Sequence, residues 1–451
     1  MTTTQATDLH VNLIVQAMAK QLRELLVRLP EQSFASAESQ LLAAADEAVR
    51  IALEAELQAR ANRLPERICI DGAAYRQHQP GRVQYHSLCG ALSVQRATYR
   101  RIGERNGPTV VPLELEAGIV QRATPALAFA VVQGHADAPS REVEKQLQAA
   151  HRRPPSRSTL DRMGRELGIR LKQLLPTIEP LVRAQEQLPE GAHGLCLGLD
   201  RTTVPMAEDE GDLVRVRYRM AYVATVSFVD GDGGALVTRR YAAAAHEGPD
   251  DIIERMMTDV RQALMQRPTL AMVVVQDGAP ELWNLVRAAL AREPGIRSWR
   301  EAIDWYHLKQ RLGQIAELIE SDPQRRAVRL QRWERALMGN DRAIYRVRQQ
   351  LEQIWKRAPG RQRALGEHLA YIDPPRMRYA SLRRMGLPIG SGVTEGACKS
   401  LIAMRAKRSG QRWRPRGIDA VLAVRASAQS ERLVAVWAHL RTQLTPSLAA
   451  A

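Results

Sequence analysis

Three acidic residues occupy positions in the chain that suit metal-dependent chemistry. Asp200 lies in a strand-like run at 195–204, Asp277 follows the apolar run Leu270–Gln276, and Glu395 opens a helical stretch. Phosphodiester chemistry commonly uses two Mg²⁺ or Mn²⁺ ions held by shared carboxylates. Carboxylates cluster when cations neutralise their charge. The three acids therefore predict a site for two Mg²⁺ ions, with Mn²⁺ as a substitute.

Each of these acids also has a purely structural interpretation. Asp200 could pair with Arg201, and Asp277 could cap the helix that follows it. Glu395 could stabilise the first turn of its helix, with Lys399 as its i+4 partner. The occurrence of all three at the expected positions of one topology favours the metal site.

A histidine lies between the second and third acids, in the run Asp304–His307 (DWYH). An Asp-x-x-His after a strand could orient a phosphate or a water near the metal ions. Equally, His307 could be a partly buried histidine with a structural role.

The segment Lys399–Arg416, here called the basic strip, follows Glu395 and contains no acid. Cations around an aromatic residue suit a DNA backbone groove with a stacking residue. The predicted DNA contacts of the strip are Lys399, Arg405, Lys407, Arg408, Arg412, Trp413, Arg414 and Arg416. A second predicted set is Arg153, Arg157 and Arg162, around two short helices laid out like a helix-turn-helix. A plain helical hairpin with a basic face is the alternative for the second set.

The elements that must position the acids follow from residue periodicity. Residues 191–320 predict the order strand, strand, strand, helix, strand, helix, strand, helix, with Ala302–Trp305 as the fifth strand. Three meandering strands followed by βα units make a mixed sheet with helices on both faces. This is the order that a ribonuclease-H-like α/β core requires.

The pattern changes along the chain predict seven segments. They are an N-terminal helical region (1–60), a small β-rich or irregular module (61–123), a helical, helix-turn-helix-like DNA-binding region (124–190), the first part of the core (191–320), a helical insertion (321–385), the last part of the core with the basic helix (386–442) and a loose tail (443–451).

Composition narrows the class of protein. The chain has 451 residues, 45% of them hydrophobic, and a net charge of +16, which favours nucleic acid as a partner. We find neither an apolar run of the roughly 18 residues that a membrane span needs nor a secretory signal. The four cysteines form no CxxC pair, so neither zinc nor a disulfide framework is expected. A cytoplasmic, nucleoid-associated protein without a membrane partner is predicted.

Four motifs, the last of them in two segments, resemble those of bacterial insertion-sequence DDE transposases of the Kra-type group, which are related to Mutator-like transposases. The segments that carry the resemblance are Leu197–Val204 (LGLDRTTV), Val275–Trp283 (VQDGAPELW), Asp304–Leu312 (DWYHLKQRL), Gly390–Lys399 (GSGVTEGACK) and Arg405–Trp413 (RAKRSGQRW). The resemblance spans about residues 80–430. Two positions depart from the family pattern: Arg100–Gly103 replaces a paired-cysteine knuckle, and Arg201 stands where glycine is common.

The resemblance implies a ribonuclease-H-like catalytic domain interrupted by a helical insertion, and an N-terminal region that binds terminal inverted repeats. Asp200, Asp277 and Glu395 would be the catalytic triad, and His307 an auxiliary position. The activity would be cleavage of element ends and strand transfer into target DNA, with self-association on DNA. The alternatives are a transposase-derived DNA-binding protein without catalysis and a ribonuclease-H-fold nuclease without strand transfer.

Overall fold

The computed structural model describes residues 33–444, the backbone of Leu448–Ala450, and isolated positions 19, 23, 24, 26 and 27. The chain forms two compact units. The first comprises Met1–Ile178 with Val434–Ala451, and the second comprises Glu179–Leu433. The final helix is therefore grouped with the N-terminal part of the chain, whereas the sequence places it in the core.

The first unit contains an antiparallel sheet in which the order of strands is β10-β1-β2-β3-β4. Its strands are β1 (Arg67–Ile70), β2 (Ala73–Ser87), β3 (Gly90–Arg101), β4 (Thr109–Val110) and β10 (Leu448–Ala450). Asp71 and Gly72 join β1 to β2 with φ angles of 47° and 80°. Positive φ at both central residues is the requirement of a two-residue type I′ hairpin turn. The segment 61–123 thus holds four of these strands.

Helices of the first unit pack beside this sheet. They are α1 (Phe34–Arg63), α2 (Pro112–Glu116), α3 (Pro125–Asp137), α4 (Ser140–Ala149) and the first part of α5 (Arg157–Gln185). Ser33 caps α1, its hydroxyl accepting from the Ser36 amide. Leu57 of α1 packs with Leu92 and Val94 of β3. The helix predicted within 1–60 is thus observed from residue 34, and most of its earlier part lies outside the described residues.

The helix that begins at Arg157, the second of the two helices in the predicted helix-turn-helix, is much longer than expected. We predicted two short helices with a tight link, but α5 extends over 29 residues. Its buried side chains continue at helical spacing far beyond the first turns. They include Leu160, Met163, Leu167, Leu171, Leu175, Ile178 and Val182. This continuous apolar stripe stabilises one long helix.

The second unit contains a mixed sheet with strand order β7-β6-β5-β8-β9. The strands are β5 (Gly194–Glu210), β6 (Leu213–Val229), β7 (Ala235–Ala243), β8 (Ala271–Gln276) and β9 (Arg300–Ile303). β5, β8 and β9 are parallel, and β6 is antiparallel to both of its neighbours. The predicted mixed sheet is confirmed.

Two strand ends differ from the sequence-based prediction. β5 continues six residues beyond the predicted 195–204 and pairs with β6 up to the turn at Gly211, whose φ is 62°. β9 ends at Ile303, so Asp304 is not a strand residue but the N-cap of the next helix. Asp is a favoured N-cap because its carboxylate accepts from free amides of the first turn.

Helices cover both faces of the mixed sheet. Alternate residues of β5, such as Leu197, pack with α6 (Pro249–Gln266), α7 (Pro280–Ala291) and α8 (Trp305–Ile319). On the opposite face, Val204 and Met206 pack with the segment that contains α13 (Gly392–Ala397), a π-helical turn (Cys398–Ala403), α14 (Met404–Ala406) and α15 (Pro415–Gln429). The mixed α/β architecture follows from this alternation, since successive strand residues face opposite sides.

The segment 321–385 is helical, between α8 and α13. It contains α9 (Pro323–Gly339), α10 (Ala343–Arg357), α11 (Gln362–Tyr371) and α12 (Tyr379–Arg384), with 3₁₀ turns at Pro359–Arg361 and Pro374–Arg376. The last helix of the chain is α16 (Leu433–Leu444). Among the described helices, none combines the length and apolar character needed to cross a membrane.

Candidate active site

The three acids lie together in the second unit. Asp200, Asp277, Glu395 and His307 line one cavity of about 160 Å³. β5 and β8 are parallel neighbours in which Leu197 is opposite Val274, and continuing this register brings Asp200 level with Asp277. Adjacent parallel strands therefore bring two of the carboxylates together at one edge.

Glu395 reaches the cavity because helix α13 approaches β5 very closely. A Cβ atom on Gly198 would lie 2.0 Å from the Thr394 hydroxyl oxygen, so only glycine fits at position 198. The hydroxyls of Thr394 and Thr225 lie 2.7 Å apart, which fixes the helix on the sheet. Ser391 donates to a carboxylate oxygen of Glu395 at 2.6 Å.

The helix that carries Glu395 widens into a π-helical turn at Cys398–Ala403. π turns are uncommon and occur frequently at functional sites. The Cys398 thiol hydrogen-bonds to Asp200, and burial together with this carboxylate raises the pKa of Cys398 well above its ordinary value. The thiol therefore stays protonated and acts as a donor to Asp200.

Asp304 is completely buried and connects three parts of the site. Its Oδ2 accepts from the His307 amide at 2.8 Å and from His307 Nδ1 at 2.9 Å. Its Oδ1 accepts from the Ser391 amide at 2.6 Å, which holds the turn that precedes Glu395. Because a carboxylate only accepts, His307 Nδ1 carries the proton and Nε2 keeps its lone pair.

His307 and Glu395 are also close to each other, with 3.6 Å between Nδ1 and Oε1. One oxygen or nitrogen atom from each of Asp304, His307 and Glu395 lies within 4.8 Å of the others. His307 is predicted from the sequence, but the role of Asp304 in holding it is not. The available signal was an Asp followed three residues later by His at the start of a helix, which is an N-cap pattern.

The contacts bear differently on the structural alternatives for the three acids. Asp200 accepts from the backbone amide of Arg201 and from the Cys398 thiol, whereas the Arg201 guanidinium pairs with Glu281. Asp277 accepts from the Ala279 amide, but Ala279 itself is the N-cap of α7. Glu395 does lie in the first turn of α13, but among the described residues it contacts Ser391 and His307 rather than Lys399.

Negative charge in the cavity is largely uncompensated. Of the described residues that line it, none is a lysine or an arginine. Burial raises the pKa of Asp200, hydrogen bonds from Arg201 and Cys398 oppose this, and the charges of Asp277 and Glu395 raise it further. Carboxylates held together in this way favour a bound cation.

The donor set fits divalent cations of the Mg²⁺ type. Asp200, Asp277 and Glu395 offer hard carboxylate oxygens, the ligands that Mg²⁺ and Mn²⁺ prefer. The side-chain amide of Gln276, which also lines the cavity, is buried with no hydrogen-bond partner among the described residues. Three converging carboxylates and an unpartnered polar group are compatible with hydrated metal ions.

The basic strip divides into exposed and buried residues. Its exposed cations are Lys399, Lys407, Arg412, Arg414 and Arg416, and Arg408 is half-buried. Lys407 donates to Thr202 of β5, and Arg414 pairs with Asp209. The exposed side chains follow directly after the helix that carries Glu395.

Arg405 and Trp413 do not lie on the surface as predicted. Arg405 is 4% exposed, and its guanidinium lies 4.8 Å from the centre of the Trp413 ring. The Trp413 indole donates to the Ala406 carbonyl, and its backbone pairs with β5 near Met206. Arg405 is thus buried and Trp413 is half-buried, and the DNA contacts predicted for both remain predictions.

The three arginines named in the first unit differ in their contacts. Arg153 pairs with Glu47 at 2.8 Å and also donates to the Ala43 carbonyl. Arg157 and Arg162, in the first turns of α5, are exposed.

Two grooves involve the helical insertion. The first, about 770 Å³, is lined by Tyr306, by residues next to Glu395 such as Gly392, and by Arg335 and Arg383. The second, about 1080 Å³, shares Arg335 and runs between α9 and α10. Further arginines line it: Arg325, Arg329, Arg332, Arg346 and Arg357. A basic surface thus extends from the acids into the insertion.

Comparisons with known proteins give few relatives. No protein-family model matches the chain, and no curated protein matches its sequence. Among solved structures, the Drosophila P element transposase strand transfer complex is similar with a TM-score of 0.29 and 12% identity, covering 70% of this chain and 80% of that chain. A similarity of this size does not establish a common fold. The resemblance to the Kra-type group rests on the motifs alone.

Proposed function

We propose that this chain is a DDE-type DNA transposase with a ribonuclease-H-like core. The observation that carries the proposal is the convergence of Asp200, Asp277 and Glu395 on one cavity without a neutralising arginine or lysine. The strand order of the second unit, with three parallel strands and one antiparallel strand between two others, supports it. The match of these acids to the family motifs supports it independently.

Asp200, Asp277 and Glu395 would hold two Mg²⁺ ions, or Mn²⁺ in their place. When bound, such ions activate the attacking oxygen and stabilise the leaving oxygen of a phosphodiester. The protein's own contribution is positional. Asp304 orients His307 and the Ser391 turn, and the Cys398 thiol orients Asp200.

His307 is suited to accept or hold a proton beside the reacting phosphate. Its Nδ1 proton is committed to Asp304, and Nε2 retains a lone pair. In the proposed reaction, water first cleaves the element's end, and the released 3′-OH then attacks the target strand at the same site.

DNA would follow the exposed cations of the basic strip and the arginine-lined grooves of the helical insertion. Neither surface reads bases, because phosphate contacts carry no sequence information. Recognition of terminal inverted repeats would fall to the first unit, where Arg157 and Arg162 are exposed. Transposition requires both ends of the element to meet in one complex, so we expect the protein to self-associate on DNA. In the cell, we expect it to associate with the nucleoid.

The test is cleavage of a supercoiled plasmid that carries the DNA flanking the coding sequence on both sides. Wild type, Asp277→Asn and the control Asp250→Asn, an exposed acid of α6, are compared in Mg²⁺, Mn²⁺ and chelator. We expect metal-dependent end cleavage that falls by roughly 10³-fold or more in Asp277→Asn and not in Asp250→Asn. Equal cleavage by wild type and Asp277→Asn would remove the triad from the reaction.

The same assay separates the alternatives. Joining of cleaved ends to a second plasmid identifies a transposase, whereas cleavage without joining identifies a nuclease. Specific end binding by wild type without cleavage identifies a DNA-binding protein. Binding by Asp277→Asn in chelator should weaken steeply with salt, because phosphate contacts release counterions.

A further inference from the structure

Two polar groups on either side of Asp277 lack partners. Gln276 precedes it, is 1% exposed and lines the cavity, yet its side-chain oxygen and nitrogen have no hydrogen-bond partner among the described residues. The Tyr371 hydroxyl is also buried and, within the described part of the chain, unpartnered. Nearly all buried polar side chains in proteins are hydrogen-bonded. Two such unpartnered groups near the carboxylate of Asp277 indicate a ligand that both would contact.

Tyr371 belongs to the helical insertion but packs directly on the turn after Asp277. A Cβ atom on Gly278 would lie 2.5 Å from Tyr371 Cε2, so the ring requires glycine at that position. On its other side, the guanidinium carbon of Arg311 lies 5.0 Å from the ring centre. The ring is thereby fixed between α8 and the Asp277 turn.

The environment keeps the Tyr371 hydroxyl protonated. Burial raises its pKa well above the ordinary value, and the charges of Asp277 and Asp304 add to this effect. A neutral phenol can donate to a carboxylate or phosphate oxygen and accept from a water molecule.

The lack of a partner is specific to Tyr371 among the neighbouring tyrosines of the insertion. Tyr379 is buried as well, but its hydroxyl donates to the Ile303 carbonyl at 3.0 Å. The packing of the insertion therefore does provide partners where a tyrosine has only a structural role.

We propose that Tyr371 and Gln276 are positioning residues of the metal site, and this rests on the proposed function. Their hydroxyl and amide would hydrogen-bond to the water or phosphate oxygens around the divalent cations that Asp277 helps to hold. Mg²⁺ retains several waters in proteins, and groups that orient such outer oxygens commonly determine affinity. The helical insertion is then a contributor to the metal site as well as to DNA binding.

The experiment is thermal unfolding of the full-length protein titrated with Mn²⁺, and separately with Ca²⁺, in the absence of DNA. Wild type is compared with Tyr371→Phe, Gln276→Leu, Asp277→Asn and the control Tyr218→Phe, whose ring is 70% exposed on β6. We expect the Mn²⁺ concentration at half-maximal stabilisation to rise roughly 10-fold or more in Tyr371→Phe and Gln276→Leu. Without metal, both variants should melt at or slightly above the wild-type temperature, because each loses an unpartnered polar group.

The titration separates a failure of the positioning role from a failure of the proposed metal site. If Mn²⁺ stabilises wild type and Tyr371→Phe at the same concentrations, while Asp277→Asn does not respond, the positioning role is wrong and the metal site remains. If Mn²⁺ stabilises neither wild type nor any variant, the metal site itself is wrong. A lower melting temperature of Tyr371→Phe without metal, with an unchanged Mn²⁺ midpoint, would identify a purely structural tyrosine.

Discussion

The second unit holds two clusters of acidic residues that are electrostatic opposites. In the cavity, no lysine or arginine is among the described lining residues, and the pKa of Asp200 is raised. In the second cluster, here called the buried ion network, the acids are surrounded by guanidinium groups. The network consists of Glu179, Arg183, Glu186, Arg239, Tyr241, Arg255, Asp259 and Arg432.

Charge compensation in the buried ion network is nearly complete. Asp259 accepts from Arg183 at 2.6 Å and from Arg432 at 3.0 Å. Burial alone would raise the pKa of Asp259, but Arg432 and Arg183 lower it below the ordinary value. The pKa of Glu179 is lowered in the same way, with Arg255 making the largest opposing contribution to burial. Compensated acids stabilise the fold, whereas uncompensated acids at the cavity are available for a ligand.

The largest expected effect on stability is in the buried ion network. Arg432→Met should lower the free energy of unfolding by about 3–5 kcal/mol, because Asp259 and Glu186 each lose a guanidinium partner. The matched control is Arg363→Met, whose side chain is 96% exposed and pairs with Glu367 only at 3.7 Å. Urea unfolding of both variants measures the difference. A loss below about 1 kcal/mol for Arg432→Met would mean that the network is not cooperative.

An intermediate effect should appear in the pH dependence of stability, with opposite signs at the two clusters. The raised pKa of Asp200 means that its ionised form opposes folding, so this penalty develops as pH rises from the ordinary carboxyl value, about 3.9, through the raised pKa. Asp200→Asn in chelator should therefore be more stable than wild type at pH 7, and the difference should vanish as pH falls to about 4.

Asp259→Asn should show the reverse dependence. The lowered pKa of Asp259 gives a stabilisation that is present above about pH 3.9 and is lost as pH falls through the lowered pKa. The variant should be less stable than wild type at pH 7, with a deficit that shrinks only under strong acid. Melting temperatures from pH 3 to 8 measure both variants, and the same sign at both positions would contradict the contrast.

The smallest expected effect is at Arg201, which stands where the family often has glycine. Its guanidinium pairs with Glu281, and both side chains are partly exposed at 34% and 49%. Arg201→Gln should cost no more than about 1 kcal/mol, as for other exposed pairs. Because the backbone amide still donates to Asp200, end cleavage should change less than 10-fold. A 100-fold loss in the plasmid assay would instead place Arg201 in contact with DNA.

The core of the second unit could be predicted because its periodicity is strong. Alternating and apolar runs gave the order of strands and helices, and that order alone brings Asp200 and Asp277 to adjacent parallel strands. Glu395 was named from its position at the start of a helix and from the motif resemblance, but its approach to β5 could not be derived, since the contact that requires Gly198 joins segments almost 200 residues apart.

Other features could not be predicted, because residue type does not identify a distant partner. Arg405 belongs to a run of cations, which predicts an exposed side chain, yet it is buried and its guanidinium packs over the Trp413 ring. The sequence pattern predicts that Asp304 lies in a strand. The hydrogen bond that it accepts from the Ser391 amide depends on a turn 87 residues later in the chain. The length of α5 was underestimated because the helix-turn-helix interpretation calls for short helices, whereas its apolar stripe continues over 29 residues.

The order of the site residues along the chain has a consequence for protein synthesis. Asp200 leaves the ribosome first, and Glu395 follows only after the whole helical insertion has been translated. At common elongation rates the interval is on the order of 10–40 s. Throughout that time the nascent chain lacks its third carboxylate, and a product terminated inside the insertion never acquires it. Such a product also lacks the basic strip, which follows Glu395 in the chain, so the third carboxylate and the strip are completed together at the end of synthesis.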